Sequence, residues 1–146
     1  MILYKYNVKA KLMRYFRELE MYQNSIAVAM LIFEISKSFP PEERYCLTDQ
    51  GRRSVRSACA NIAEDWRKRR YKAAFMSKLS DAEPEATETQ VSCEVACFRH
   101  YIKEKTFVDL NDSCDHIVAQ LVRRSATADR WTRPAGKNAR PHADRQ

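Results

Sequence analysis

The sequence predicts an all-α protein, an up-down-up-down four-helix bundle whose long third helix is kinked near Pro84. Three observations point there. Apolar residues recur at three- and four-residue steps through four long segments, which is the period of a helix face. Only two glycines and five prolines occur in 146 residues, and four of the prolines stand at a helix boundary or near the C-terminus. That is too little turn chemistry for a sandwich or a barrel. A composition of 45% hydrophobic and 31% charged residues fits one globular domain with one core.

The first helix is expected from Phe16 to Phe39, with Leu19, Tyr22, Ile26, Met30 and Phe33 along one side and Ile32 and Ile35 widening it. Pro40 and Pro41 stop it, because proline lacks an N–H and disfavours helix in the residue before it. The second helix starts near Thr48, a suitable N-cap, and fades through Arg67–Arg70. Val55, Cys59, Ile62 and Trp66 form its apolar side, and Gly51, Ser54, Ser57, Ala58 and Asn61 form a small, polar wall.

The third helix begins near Tyr71 and carries Phe75, Leu79, Ala82, Ala86, Gln90, Cys93 and Cys97 in a heptad-like rhythm. Pro84 lies inside it, so a kink is expected, with a break into two helices as the competing outcome. The fourth helix is expected from about Asp109 to Ala128, with Leu110, Cys114, Ile117, Val118 and Leu121 inward. Arg123 and Arg124 suit its C-terminal half, where the helix dipole favours cations. The bundle thus occupies residues 16–130. A basic segment, 1–15, precedes it, and a tail, 131–146, follows with no periodicity and is expected to be disordered.

No run approaches the roughly 18 apolar residues of a membrane span, and the first residues do not read as a secretory signal. The five cysteines are an odd number without a CxxC pair. Free thiols, four of them at core positions, in a reducing compartment are the simplest reading, which places the protein in the cytoplasm. The net charge of +7 is unevenly spread. Residues 50–80 hold nine bases against two acids, residues 81–115 nine acids against three bases, and the first seventeen residues five bases and no acid. Such asymmetry suits either a polyanionic partner or the meeting of opposite surfaces of two copies.

Four separated stretches carry a family resemblance. They are Phe16-Arg17-Glu18-Leu19-Glu20-Met21-Tyr22-Gln23, Ser38-Phe39-Pro40-Pro41-Glu42-Glu43-Arg44-Tyr45, Gln50-Gly51-Arg52-Arg53-Ser54-Val55-Arg56-Ser57 and Asn61-Ile62-Ala63-Glu64. Together they resemble the four-helix bundle proteins encoded within intervening sequences of bacterial 23S ribosomal RNA genes, over roughly Phe16 to Leu121. The resemblance implies a ring-like homopentamer without an established biochemical function. A related branch, the accessory proteins of diversity-generating retroelements, binds nucleic acid and a reverse transcriptase. The resemblance singles out Tyr22, Gln23, Phe39, Pro40, Gln50, Asn61 and Glu64 as motif positions. This chain departs from the family at Asp65, where glycine is usual, and in the third helix. There Ala82-Glu83-Pro84-Glu85-Ala86-Thr87-Glu88 replaces a glycine-serine pair beside an acidic motif.

Among candidate functional residues, Arg52, Arg56, Arg67 and Arg70 project within about 60° of one another on a continuous helix. Arg53, Lys68, Arg69 and Lys72 add to their field. This surface could meet the phosphates of RNA or DNA, or the acidic third helix of the same or another copy. No sequence-reading motif accompanies it, so any binding is expected at the backbone. Asn61 is expected to bridge helices and Glu64 to reach Arg67. Cys93, Cys97 and His100 share a projected face that Cys114 or His116 could complete as a metal site, but the same spacing is the core rhythm, and core packing is the expectation. Glu83, Glu85 and Glu88 lack the Glu-x-x-His partners of a di-iron bundle. No cofactor and no catalysis are expected. The expected role is an oligomeric, non-catalytic interaction or scaffold protein, and the alternative is a nucleic-acid-binding accessory factor.

Overall fold

Four long helices make up most of residues 14–132, the part of the chain that the computed structural model describes. Except for Arg14 and Tyr15, the basic segment 1–15 lies outside the described residues, and so does the tail beyond Thr132. The helices are α1 (Glu20–Ser36), α2 (Leu47–Arg67), α3 (Lys72–Phe98) and α4 (Glu104–Ala126), with a last turn, α5 (Ala128–Trp131). No strand occurs among the described residues. Each long helix packs on its two neighbours in the cyclic order α1, α2, α3, α4, and across the diagonal α2 and α4 meet through the side chains of Asp65 and Arg124. α2 and α3 run in opposite directions: Gln50 and Ser54, early in α2, meet Glu88 and Thr89, whereas Glu64, near its end, meets Lys78, early in α3.

The ends of the elements shift from expectation for local reasons. Phe16–Glu18 is a separate 3-10 turn, so α1 begins later than Phe16. It also stops at Ser36, before the prolines. There Lys37, Ser38 and Phe39 donate to the carbonyls three residues back, and the Ser38 hydroxyl bonds Ile35 O. Thr48 is not the cap of α2, because the helix begins at Leu47 and the Glu43 carboxylate takes the Leu47 N–H at 3.3 Å. α4 begins five residues before Asp109, which lets Phe107 pack on the core. α3 is a single helix through Pro84, which excludes a break there. Pro84 is exposed, and so is Ser80, whose carbonyl the proline leaves without its helical donor and which water can reach.

The apolar face of α1 is turned from the expected line. Leu19, Met21, Val28, Ala29 and Ile32 are buried, together with Ser25 and Ser36, whereas Met30 and Phe33 stay 49% and 44% exposed. Serine can occupy the core face because its hydroxyl is satisfied within the helix: Ser25 Oγ donates to Met21 O at 2.7 Å, and Ser36 Oγ to Phe33 O at 3.1 Å. On α2 the small wall meets α3, where Ser54 and Thr89 share a buried hydroxyl bond of 2.8 Å. Gly51 is not sterically required, since a Cβ there would lie an ordinary 3.6 Å from that of Ser92.

A charged pair lies inside the apolar core. Asp65 and Arg124 are both buried, with Nε–Oδ2 at 2.9 Å and Nη2–Oδ1 at 3.5 Å. The guanidinium carbon sits 5.1 Å from the Phe75 ring centroid, 5.9 Å from that of Trp66 and 4.1 Å from that of Trp131. One interaction therefore joins α2, α3, α4 and α5. It also gives Asp65, the departure from the family's glycine, a structural purpose. Arg124, expected as a dipole partner near the end of a helix, is instead an interior side chain.

Burial pushes the Asp65 carboxyl from its ordinary 3.8 up to about 6, with Arg124 and then Arg69 pulling it back. Between about pH 4 and pH 6 the folded protein thus binds more protons here than the unfolded chain does. The contribution of Asp65 to stability is therefore largest below that window and declines as pH rises through it. Urea midpoints of the parent, measured across pH 4 to 6, are expected to fall relative to those of Asp65→Asn, whose side chain does not titrate. A parent midpoint that rises instead would mean that the guanidinium outweighs burial.

Candidate functional site

The seam between α1 and α2 opens outward into a groove of about 330 Å³ lined by Ala29, Met30, Phe33, Tyr45, Thr48 and charged residues. The geometry of the two helices places it there. Turning α1 to bury Ser25 and Ser36 sends Met30 and Phe33 to the flank beside α2, and the turn after Pro41–Glu43 sets Tyr45 at the mouth, 84% exposed. Arg44, Arg52 and Arg56 edge the groove, and Asp49, also in its wall, is held by Arg53 at 3.6 Å. The Arg52 guanidinium lies 4.6 Å from the Phe33 ring, and its Nε donates to Ser36 Oγ at 2.8 Å. Arg44 approaches the Tyr45 ring at 5.8 Å. A mixed apolar and cationic surface of this kind can hold an aromatic or aliphatic side chain with acidic neighbours, or a nucleic-acid backbone.

The eight basic residues singled out from the sequence fall into different situations. Arg52 is half-buried against Phe33, Arg53 pairs with Asp49, and Lys72 pairs with Asp129 at 2.7 Å. Arg69 folds over the Trp66 ring at 3.4 Å and donates to Trp66 O. Arg56, Arg67, Lys68 and Arg70 are exposed and form no ion pair among the described residues. Arg52, Arg56 and Arg67 keep one face of α2. Arg70 does not extend it, because the helix ends at Arg67 and residues 68–70 form a turn. Among the described residues, no ion pair joins Arg52, Arg53, Arg56, Arg67, Lys68, Arg70 or Lys72 to an acid of α3.

The motif positions act as stitches. Tyr22 packs edge-on against Phe16 at 4.9 Å, and Gln23 Nε2 donates to Arg17 O at 2.9 Å. Phe39 stacks at a tilt on Tyr101, 5.5 Å away, and Pro40 O accepts the Glu43 N–H that closes the interhelical turn. Gln50 Nε2 donates to Glu88 at 3.0 Å. Glu64 pairs with Lys78 at 2.6 Å rather than with Arg67, and that bond raises the lysine's pKa. Asn61 is half-buried and shows no side-chain hydrogen bond among the described residues, so it bridges no helices here.

The cysteine and histidine cluster does not converge. His100 lies past the end of α3 in the left-handed conformation, φ 59°, where its N–H and that of Tyr101 close the helix onto Cys97 O and Ala96 O. No group of three or more His, Cys, Asp or Glu side chains is placed to hold a metal among the described residues. His116 reaches Glu20 at 3.7 Å on the surface instead. Cys59, Cys93 and Cys114 are buried, Cys97 is half-buried and Cys46 is exposed. Burial pushes the thiols of Cys59 and Cys93 up to about 12 and that of Cys114 up to about 11, the opposite of an activated nucleophile. No helix of the described residues is long and apolar enough to cross a membrane.

Comparison with known proteins agrees with the resemblance read from the sequence. The model of the family described as 23S rRNA-intervening sequence protein matches residues 17–123. Among solved structures, a protein of unknown function from the S23 ribosomal protein family of Bacteroides thetaiotaomicron is similar, at 27% identity and a TM-score of 0.66. The match covers 73% of this chain and 99% of that one. No curated protein matches.

The thiols give a direct check on this surface. In native protein at mildly alkaline pH, an alkylating reagent is expected to label Cys46 first. Cys59, Cys93 and Cys114 should react only after denaturation, as peptide mass spectrometry would resolve. Native labelling of Cys93 as fast as that of Cys46 would show instead that α3 and α4 part readily.

Proposed function

We propose that this chain, which belongs to the 23S rRNA-intervening sequence protein family, works as a non-catalytic, oligomeric interaction protein built on an up-down-up-down bundle. The observation that carries the reading is the groove: Met30, Phe33 and Tyr45 are exposed side by side on a surface that a lone monomer has no reason to keep apolar. The cyclic packing order and the short links between successive helices support the up-down course, and a bend at Pro84 remains its expected detail. A closed homopentamer is the assembly that the resemblance implies. Covering a large apolar side chain contributes about 1.5–3 kcal/mol, against about 0–1 kcal/mol for an exposed ion pair, so the apolar strip would dominate such a junction. Light scattering at moderate salt over a range of concentrations is expected to give a mass near five times the 17.1 kDa chain. A mass that stays at the single chain would end the oligomer reading, and one near twice it would end the ring.

A second reading is favoured by one observation, the exposed cations Arg56, Arg67, Lys68 and Arg70, which form no ion pair among the described residues and of which Arg56 edges the groove. On it the protein is an accessory factor that holds RNA or DNA by its phosphates, with a protein partner such as a reverse transcriptase. Structured RNA should then bind with little sequence preference, and affinity should fall steeply with salt. Replacing these four residues by glutamine is expected to weaken binding and flatten the salt slope. Equal titration curves for parent and variant across a salt series would remove this reading.

A further inference from the structure

We propose that the groove between α1 and α2 receives the outer face of α3 of a second copy. The inference rests on the self-association reading above and names the two surfaces that meet.

The outer face of α3 is the counterpart of the groove. Val91, Val95 and Phe98 follow one another at four and three residues, a single stripe that is 53%, 41% and 74% exposed. Exposed acids flank it, Glu88 on one side and Glu94 on the other, and no lysine or arginine occurs on this helix between Lys78 and its end at Phe98. The groove carries the complementary pattern: Met30, Phe33 and Tyr45 at its centre, with Arg44, Arg52 and Arg56 around them, and its one acid, Asp49, paired with Arg53. Apolar centre meets apolar centre, and acidic rim meets basic rim. Such pairing fixes both partner and register.

The two surfaces belong to different sides of the bundle, so neither can cover the other within a copy. They do lie at one height along it. Arg52 bonds Phe33 O and Ser36 Oγ on α1, Gln50 bonds Glu88, and Ser54 bonds Thr89, which sets the groove level with the stretch of α3 that bears Val91. Tyr101 Oη donates to Glu43 at 3.1 Å and ties the two loops at that end. A contact between unlike faces repeats from copy to copy, and it closes into a ring only when the repeat has no rise. Equal height lets side-by-side bundles meet without one.

The test uses charge reversal on the full chain. Arg44→Glu with Arg56→Glu reverses the groove rim, and Glu88→Arg with Glu94→Arg reverses the α3 rim. All four positions are exposed, and circular dichroism checks that each variant keeps its helices. Either pair alone is expected to raise the concentration of half-assembly by roughly 100-fold or more. The four changes together restore opposite signs in every junction and are expected to return the assembly to the parent's mass. Assembly unchanged by either pair, or not restored by the four together, would overturn this docking while leaving self-association in place. A parent that is monomeric at every concentration would overturn the self-association reading itself.

Discussion

The interior is organised around one ion pair. Asp65 and Arg124 have been taken out of water among Ile62, Trp66, Phe75 and Leu121, where neither charge can stand alone. Removing one member of such a pair typically costs about 3–5 kcal/mol, because the other is left uncompensated, whereas replacing both by apolar groups can be neutral. The pair is therefore better understood as a constraint on geometry than as a source of stability. With Asp65 fixed near the end of α2 and Arg124 near the end of α4, Phe75 and Trp131 close over the guanidinium. The last turn of the chain that the structure describes is thereby bound to the body.

The rest of the bundle follows the same logic of satisfied polar groups at helix seams. Ser54 and Thr89 satisfy each other between α2 and α3, while Ser25 and Ser36 bond carbonyls of their own helix. The motif residues add to this at the periphery, where Gln23, Phe39, Gln50 and Glu64 each fasten one element to another. A motif whose members, Asn61 apart, have contacts to other parts of the chain explains how related chains keep the fold. It does not by itself mark a site of chemistry.

What is left for function is on the outside, and its distribution follows from the inside. Burying serines on α1 displaces Met30 and Phe33 to the surface. Holding Arg53, Arg69 and Lys72 with Asp49, Trp66 and Asp129 leaves a smaller set of cations available to a partner. Proline on the outer face of α3 interrupts one backbone bond where water can replace it, so the helix continues and carries Val91, Val95 and Phe98 out beyond it. Both apolar patches and both charged rims are thus consequences of how the core was filled.

The sequence by itself determined the helical class, the four segments, the apolar faces of α2 and α4, and the family, because each is written in local periodicity or in short ordered motifs. It also located the basic face of α2, since Arg52, Arg56 and Arg67 lie within one helix. Other features depend on which helix stands opposite, and those the tertiary structure decided. Periodicity cannot tell a core line from a flanking one when serines can hide their hydroxyls, so the line through Met30 and Phe33 passed for the core. Projection along a helix fails where the helix ends, as it does at Arg70 and His100. The pairing of Asp65 with Arg124 was beyond sequence reasoning for the same reason. The signal was an acid on the Ala58 and Ile62 side of α2, and its partner is 59 residues away on a helix whose register only packing fixes.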